Sequence, residues 1–215
     1  MRRLGLGRMA GRRPGVEELG ELHRAHAERV PYENLEIWLG RPTTVDPAES
    51  VKRITRGRGG YCYHLNGAFS ALLHALGYQV SRHVGGVQSL SGRAAGADGN
   101  HLVLTVSGLP SAEAPNGRWL VDLGMGDGLH GPLPLVDGAH RQGPFTYGLR
   151  PSEAEAGGWR FDHDPRGGFL ETPGDYFGAL GDLFGLVLDD VTAAERDVLW
   201  GRLAAAHERS GAAQL

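Results

Sequence analysis

The stretch RGRGGYCYHLNGAFSALLHALGY, residues 56–78, decides how the rest of the chain is read. Within it, Cys62, Leu65, Phe69, Leu72, Leu73 and Leu76 fall at offsets 0, 3, 7, 10, 11 and 14, one face of a helical period, which predicts a helix beginning at the cysteine. Gly59 and Gly60 mark its start, and Gly77 stands where a left-handed C-terminal cap belongs. No Asp, Glu, Lys or Arg occurs from Gly59 to Ser81. The same run holds His64, Asn66, His74 and Gln79, whose burial in lipid is costly, so it reads as a buried helix of a globular protein and not as a membrane span.

Toward the N-terminus, VEELGELHRAHAERV places Val16, Leu19, Leu22 and His26 about one turn apart between Pro14 and Pro31, an amphipathic helix with clear stops. Met1 to Arg13 carries five arginines and no apolar run after them, so no signal peptide is expected. Toward the C-terminus the period changes. HLVLTVS (101–107) and RWLVDLG (118–124) alternate and are rich in β-formers, and the turn-rich GLPSAEAPNG between them predicts an antiparallel hairpin. Glycines and prolines of GDGLHGPLPLVDG then break up short strands such as PFTYGLR and GWRFD. DYFGALGDLF (175–184) is a short helical run, and Thr192 with Glu195 forms a capping box opening a helix over 192–210. Helices, then strands, then helices indicate an α+β fold.

A chain of 215 residues with 40% hydrophobic residues suits one globular domain or two small ones. Its formal charge of −3 argues against a nucleic-acid or membrane-surface binder, since phosphate affinity rests on concentrated Lys and Arg, and favours small-molecule chemistry. The single cysteine cannot form an intramolecular disulfide, which points to a reducing cytoplasm.

Cys62 lies in the first turn of the predicted helix, where the helix dipole stabilises a thiolate and favours a nucleophile; a small buried hydrophobe is the alternative. A nucleophilic thiol needs an imidazole to take its proton and a third group to orient that imidazole. His101 begins one hairpin strand and Asp122 is near the end of the other. A register opposing Asp122 to His101 gives direct contact, and one opposing it to Val103 gives a diagonal contact. Trp119, Val121 and Leu123 occupy the other face, an odd setting for a carboxylate unless it is paired, although a purely structural His–Asp pair fits the same pattern.

Other candidates carry less. His23 and His26 are one turn apart, but no further ligand of defined spacing accompanies them, so they are assigned to packing or capping and no metal is expected. His64 stands two residues from Cys62, about 200° round a helix, and is no base for it. The glycines of GMGDGLHG fail as a dinucleotide fingerprint, because Leu129 replaces the last glycine and Pro132 blocks the helix that must follow.

Taken together, RGGYCYHLNGAFSALLHALGY, HRAHAERVPYENLEIWLGRP before it, and NHLVLTV and RWLVDLGMGDGLHGPLPL after it resemble the arylamine N-acetyltransferase family, in order from Leu19 to Pro134 and again at the C-terminal helix. The resemblance implies Cys62 as the nucleophile acylated by acetyl-CoA, His101 as its base and Asp122 as the group orienting His101. It implies a cysteine-protease-like core with an N-terminal helical bundle (1–78), a central β-barrel (79–150) and a shortened C-terminal α/β lid (151–215). Val30, Tyr32, Asn34, Leu35, Gly124, Met125 and Gly126 would border the substrate, with Gly124 and Gly126 giving backbone room beside Cys62.

The implied reaction is acetyl transfer from acetyl-CoA to small arylamines, arylhydrazines or arylhydroxylamines through an acetyl-cysteine, with no metal, nucleic acid or membrane partner. A macrolactam-forming amide synthase with the same three residues, or a degenerate coenzyme-A-binding protein, are the alternatives. Against the family pattern, His64 replaces a usual Glu or Gln, the family's extra N-terminal helix is expected to be cut off at Met1, and the interval Phe169 to Asp175 is short where relatives carry lid strands, which predicts weaker donor binding.

Overall fold

The computed structural model describes residues 1–41, 43–87, 99–125 and 128–164. The expected helices at 175–184 and 192–210, the interval 169–175 and Gly126 lie outside them. Two compact units are formed, one from Met1–Tyr32 with Val45–Gly168 and the other from Glu33–Thr44 with Phe169–Leu215.

In the first unit the two long predicted helices are present as α1 (Val16–Arg29) and, later in the chain, Cys62–Ala75. In the second unit lies α2 (Leu35–Trp38), preceded by Glu33, whose carboxylate accepts from the Leu35 amide at 3.0 Å. Helix α3 (Pro47–Thr55) follows in the first unit, and Cys62–Ala75 is therefore α4. The start of α3 has a physical signal that the reading of the sequence passed over. Asp46 accepts from the amides of Ala48 and Glu49 at 2.9 and 3.0 Å, and Pro47 occupies the first helical turn, where its missing N–H costs nothing.

The C-terminal cap of α4 forms where expected. Gly77 takes φ +88°, its amide reaches His74 O at 3.0 Å, and the Tyr78 amide reaches Leu73 O at 3.0 Å, the paired bonds of a Schellman motif. The chain then enters a four-stranded antiparallel sheet of β1 (Gln79–Gly85), β2 (His101–Ser107), β3 (Trp119–Val121) and β4 (Leu133–Pro134), in that spatial order. A second antiparallel sheet contains β5 (Gly138–Gln142), β6 (Phe145–Pro151) and β7 (Trp159–Asp162). The β2–β3 hairpin predicted from the sequence is present. β1 was not anticipated, because as a largely exposed edge strand it lacks an apolar alternation.

One core joins Leu19 and Leu22 of α1, Leu65, Phe69 and Leu73 of α4, Leu104 and Val106 of β2, and Trp119, Val121 and Leu123. Leu120, pointing to the opposite face, packs with Leu133, Tyr147 and Leu149 in a second cluster. The N-terminal residues belong to the first core, with Leu4, Leu6 and Met9 buried and the Arg29 guanidinium donating to Leu4 O. Among the described residues no helix is long and apolar enough to cross a membrane.

His23 and His26 are part of this core. Their rings meet Phe69 edge-on at centroid distances of 6.1 and 5.3 Å, and none of their ring nitrogens completes a hydrogen bond. Burial drives both toward the neutral form, lowering His23 from 6.5 to about 4 and His26 from 6.5 to about 3. The unfolded chain therefore takes up protons that the folded chain refuses. The stability these histidines leave intact above pH 6.5 is lost as pH falls from there toward their folded values. Each should cost on the order of 1 kcal/mol by pH 5.5. Urea unfolding at pH 7.5 and 5.5 checks this: the drop should shrink in the His23→Met, His26→Leu double variant, and an unchanged drop rejects it.

Candidate functional site

Three elements of the first unit supply the site. α4 begins at Cys62, with Tyr61 extended before it; β2 begins at His101; and Asp122 follows directly on the last residue of β3. The register settles the alternative left open by the sequence. Leu104 faces Val121, so continuing the ladder sets Asp122 across from Val103 and diagonal to His101. At that diagonal the His101 Nε2–H donates to Asp122 Oδ2 at 2.6 Å. Interaction with the Cys62 thiol also favours the charged imidazole. Cys62, His101 and Asp122 are all buried.

Burial by itself disfavours a charged imidazole. The hydrogen bonds to Asp122 and Cys62 and the charges of those two residues outweigh it, and His101 is pushed up from 6.5 to about 10. The stability it contributes is thus fully present below pH 6.5 and is lost as pH rises through about 10.

The remaining oxygen of Asp122 is satisfied from two directions. Oδ1 accepts from Asn66 Nδ2 at 2.8 Å and from the Gly124 amide at 2.8 Å. Asn66 also donates to Leu102 O at 2.6 Å and accepts from the Leu123 amide at 2.9 Å, so one buried carboxamide links α4 to both strands. This residue was missed as a site component in the sequence. Its signal was a polar side chain four residues after Cys62, on the same helix face. Gly124 is required by contact: a Cβ there would stand 2.5 Å from Cys62 Cβ and 2.6 Å from its Cα.

The other predicted residues are distributed as follows. Val30 is buried in the first core. Tyr32 is exposed and its main chain forms a parallel bridge with Gly60, while the Gly60 amide donates to Pro31 O at 3.3 Å. Met125 is half-buried close to Gly128. Asn34 and Leu35 belong to the second unit, at the start of α2. His64 is buried with its ring 4.2 Å from that of Tyr61.

A thiol beside an imidazole that is itself hydrogen-bonded to a carboxylate is an arrangement that can activate sulfur for attack on an acyl carbon. The profile of an N-acetyltransferase family matches residues 15–172, and the chain belongs to that family. It is 39% identical over 132 residues to an arylamine N-acetyltransferase of Mycolicibacterium smegmatis, covering 58% of this chain and 46% of that one. A solved structure of the M. smegmatis arylamine N-acetyl transferase has a TM-score of 0.61 at 31% identity over 77% of this chain and 64% of the other. The Mycobacterium marinum arylamine N-acetyltransferase in complex with CoA gives 0.61 at 26% identity, covering 86% of this chain and 69% of that one. The chain spans about half the length of the curated relatives it matches.

Asn66→Ala should be costly, because it strips a partner from a buried carboxylate and orphans Leu123 N and Leu102 O. A loss of about 3 kcal/mol is expected in urea unfolding. A loss below 1 kcal/mol would show that water replaces the carboxamide.

Proposed function

We propose that this chain transfers an acetyl group from acetyl-CoA to the nitrogen of arylamines, arylhydrazines or arylhydroxylamines, through an acetyl thioester on Cys62. The observation that carries the reading is the buried series Cys62, His101, Asp122, with His101 raised to about 10. The family membership of residues 15–172 supports acetyl transfer to nitrogen, and the likeness to arylamine N-acetyltransferases supports the acceptor class.

Asp122 holds His101 by the 2.6 Å bond, and His101 as imidazolium keeps the sulfur of Cys62 as thiolate. The sulfur attacks the thioester carbonyl; the carbonyl's bond to the coenzyme sulfur breaks, and the departing thiol takes the His101 proton. The acceptor nitrogen then attacks the acetyl-Cys62 carbonyl. His101 removes a proton from that nitrogen, the bond to Sγ breaks, and the imidazolium–thiolate pair is restored.

The finer architecture belongs to the same proposal: a cysteine-protease-like arrangement with a helical part to residue 78, a barrel over 79–150 and a short lid from 151. Tyr32 and Met125 are proposed acceptor contacts, Tyr32 because its main chain is bridged to Gly60, two residues before Cys62, and Met125 because it follows Gly124 at the nucleophile. We place the protein in the cytoplasm, as its single cysteine requires no oxidising compartment.

Intact-mass analysis after mixing with acetyl-CoA tests donor and nucleophile together. One acetyl group should appear on Cys62, be discharged by an arylamine, and be absent from Cys62→Ser. Coenzyme-A binding without acylation would instead identify a degenerate binding protein. Discharge only by an aryl amine already joined to a long acyl chain would identify an amide synthase.

Activation is tested separately by alkylation with iodoacetamide at pH 6. Cys62 should react at least about tenfold faster than free cysteine. His101→Ala and Asp122→Ala should slow the reaction by at least about tenfold, whereas His64→Ala should not. Equal effects from all three would remove His101 from its role.

A further inference from the structure

Around His101 the main chain is gripped from α4 through its carbonyls. Cys62 Sγ lies 3.8 Å from Asn100 O, the Tyr63 hydroxyl donates to Gly99 O, and Asn66 Nδ2 donates to Leu102 O at 2.6 Å. On the other side, the Asn100 carboxamide is bonded twice to one residue. Its Oδ1 accepts from the Val87 amide at 2.8 Å and its Nδ2 donates to Val87 O at 3.2 Å.

A carboxamide carries the same donor and acceptor as a peptide group. The Asn100 side chain therefore makes with the Val87 main chain a two-bond exchange like that between paired strand residues, just past the Gly85–His101 pair where the β1–β2 ladder ends. The Gly99 amide, donating to Gly85 O at 3.2 Å, closes the same corner.

His101 is the first residue of β2, and among the described residues its strand partner β1 is an edge strand. Strand ends open most readily, so the nominal end of a ladder is a poor place for a base that must stay within hydrogen-bond reach of sulfur. We propose that Tyr63 and Asn100 are positioning residues: they fasten the chain on the N-terminal side of His101 to α4 and to Val87, and so hold the imidazole against the Cys62 thiol. The inference rests on reading Cys62 and His101 as nucleophile and base.

The test uses the full chain with Tyr63→Phe, Asn100→Ala and Asn100→Asp. Cys62 alkylation by iodoacetamide and the acetylation burst from p-nitrophenyl acetate are followed from pH 5 to 9, with melting temperatures alongside. At pH 6 Tyr63→Phe and Asn100→Ala should each react about tenfold more slowly, and the acid limb of the profile should move to higher pH. At pH 9, where a thiolate forms without help, the rates should converge with the unaltered protein. Asn100→Asp, which keeps the acceptor for the Val87 amide, should lie between.

A residue whose variant keeps the original profile has no positioning role. A loss equal at every pH signals a smaller folded fraction and also overturns the proposal. Tyr63→Phe removes a single oxygen, and so decides the matter if Asn100→Ala does not fold. If the unaltered protein forms no acetyl-Cys62 and its alkylation follows a free thiol, the reading of nucleophile and base has failed and not the positioning inference alone.

Discussion

A carboxylate removed from water must be compensated, or its burial costs several kcal/mol, and Asp122 is buried between a helix and a sheet. The compensation comes from His101, Asn66 and the Gly124 amide, one partner from each of β2, α4 and the turn after β3. No local segment of the chain satisfies this group. It is satisfied only when α4 has docked on the β2–β3 hairpin in the observed register, so the polar centre and the apolar core around Phe69 and Val121 specify the same arrangement.

The contrast among histidines shows how far environment governs the chemistry of one residue type. His26 and His101 are both buried, yet one is lowered to about 3 and the other raised to about 10. Burial acts in the same direction on both. The difference is the company each keeps: an aromatic edge and no hydrogen bond for His26, a carboxylate and a thiol for His101.

These relations were unevenly legible in the sequence. The apolar spacing from Cys62 to Leu76 announced α4 and the glycine cap, because periodicity and capping are local properties. Alternation announced the hairpin and placed His101 and Asp122 on a shared face, but left two registers, since choosing between them depends on packing that alternation does not encode. β1 was hidden because an edge strand need not alternate. α3 was passed over although Asp46 and Pro47 were legible as its cap. Asn66 looked like one polar residue among several in an apolar helix; only the structure shows that its carboxamide joins three groups, one on β2 and two in the turn after β3. The lid and the C-terminal helices fall on residues outside those described.

The bond from Asp122 Oδ1 to the amide two residues on is an Asx-turn, and β3 ends after only three residues, immediately before it. The same carboxylate is therefore punctuation for the strand as well as support for the imidazole. Cys62 carries no such double duty: a helix start accepts Ser or Ala in its place without a change of chain path. Descendants that drift away from chemistry can discard the sulfur freely, but losing the acid obliges them to rewrite the end of a strand. Inactive offshoots should accordingly keep Asp122 long after Cys62 has gone.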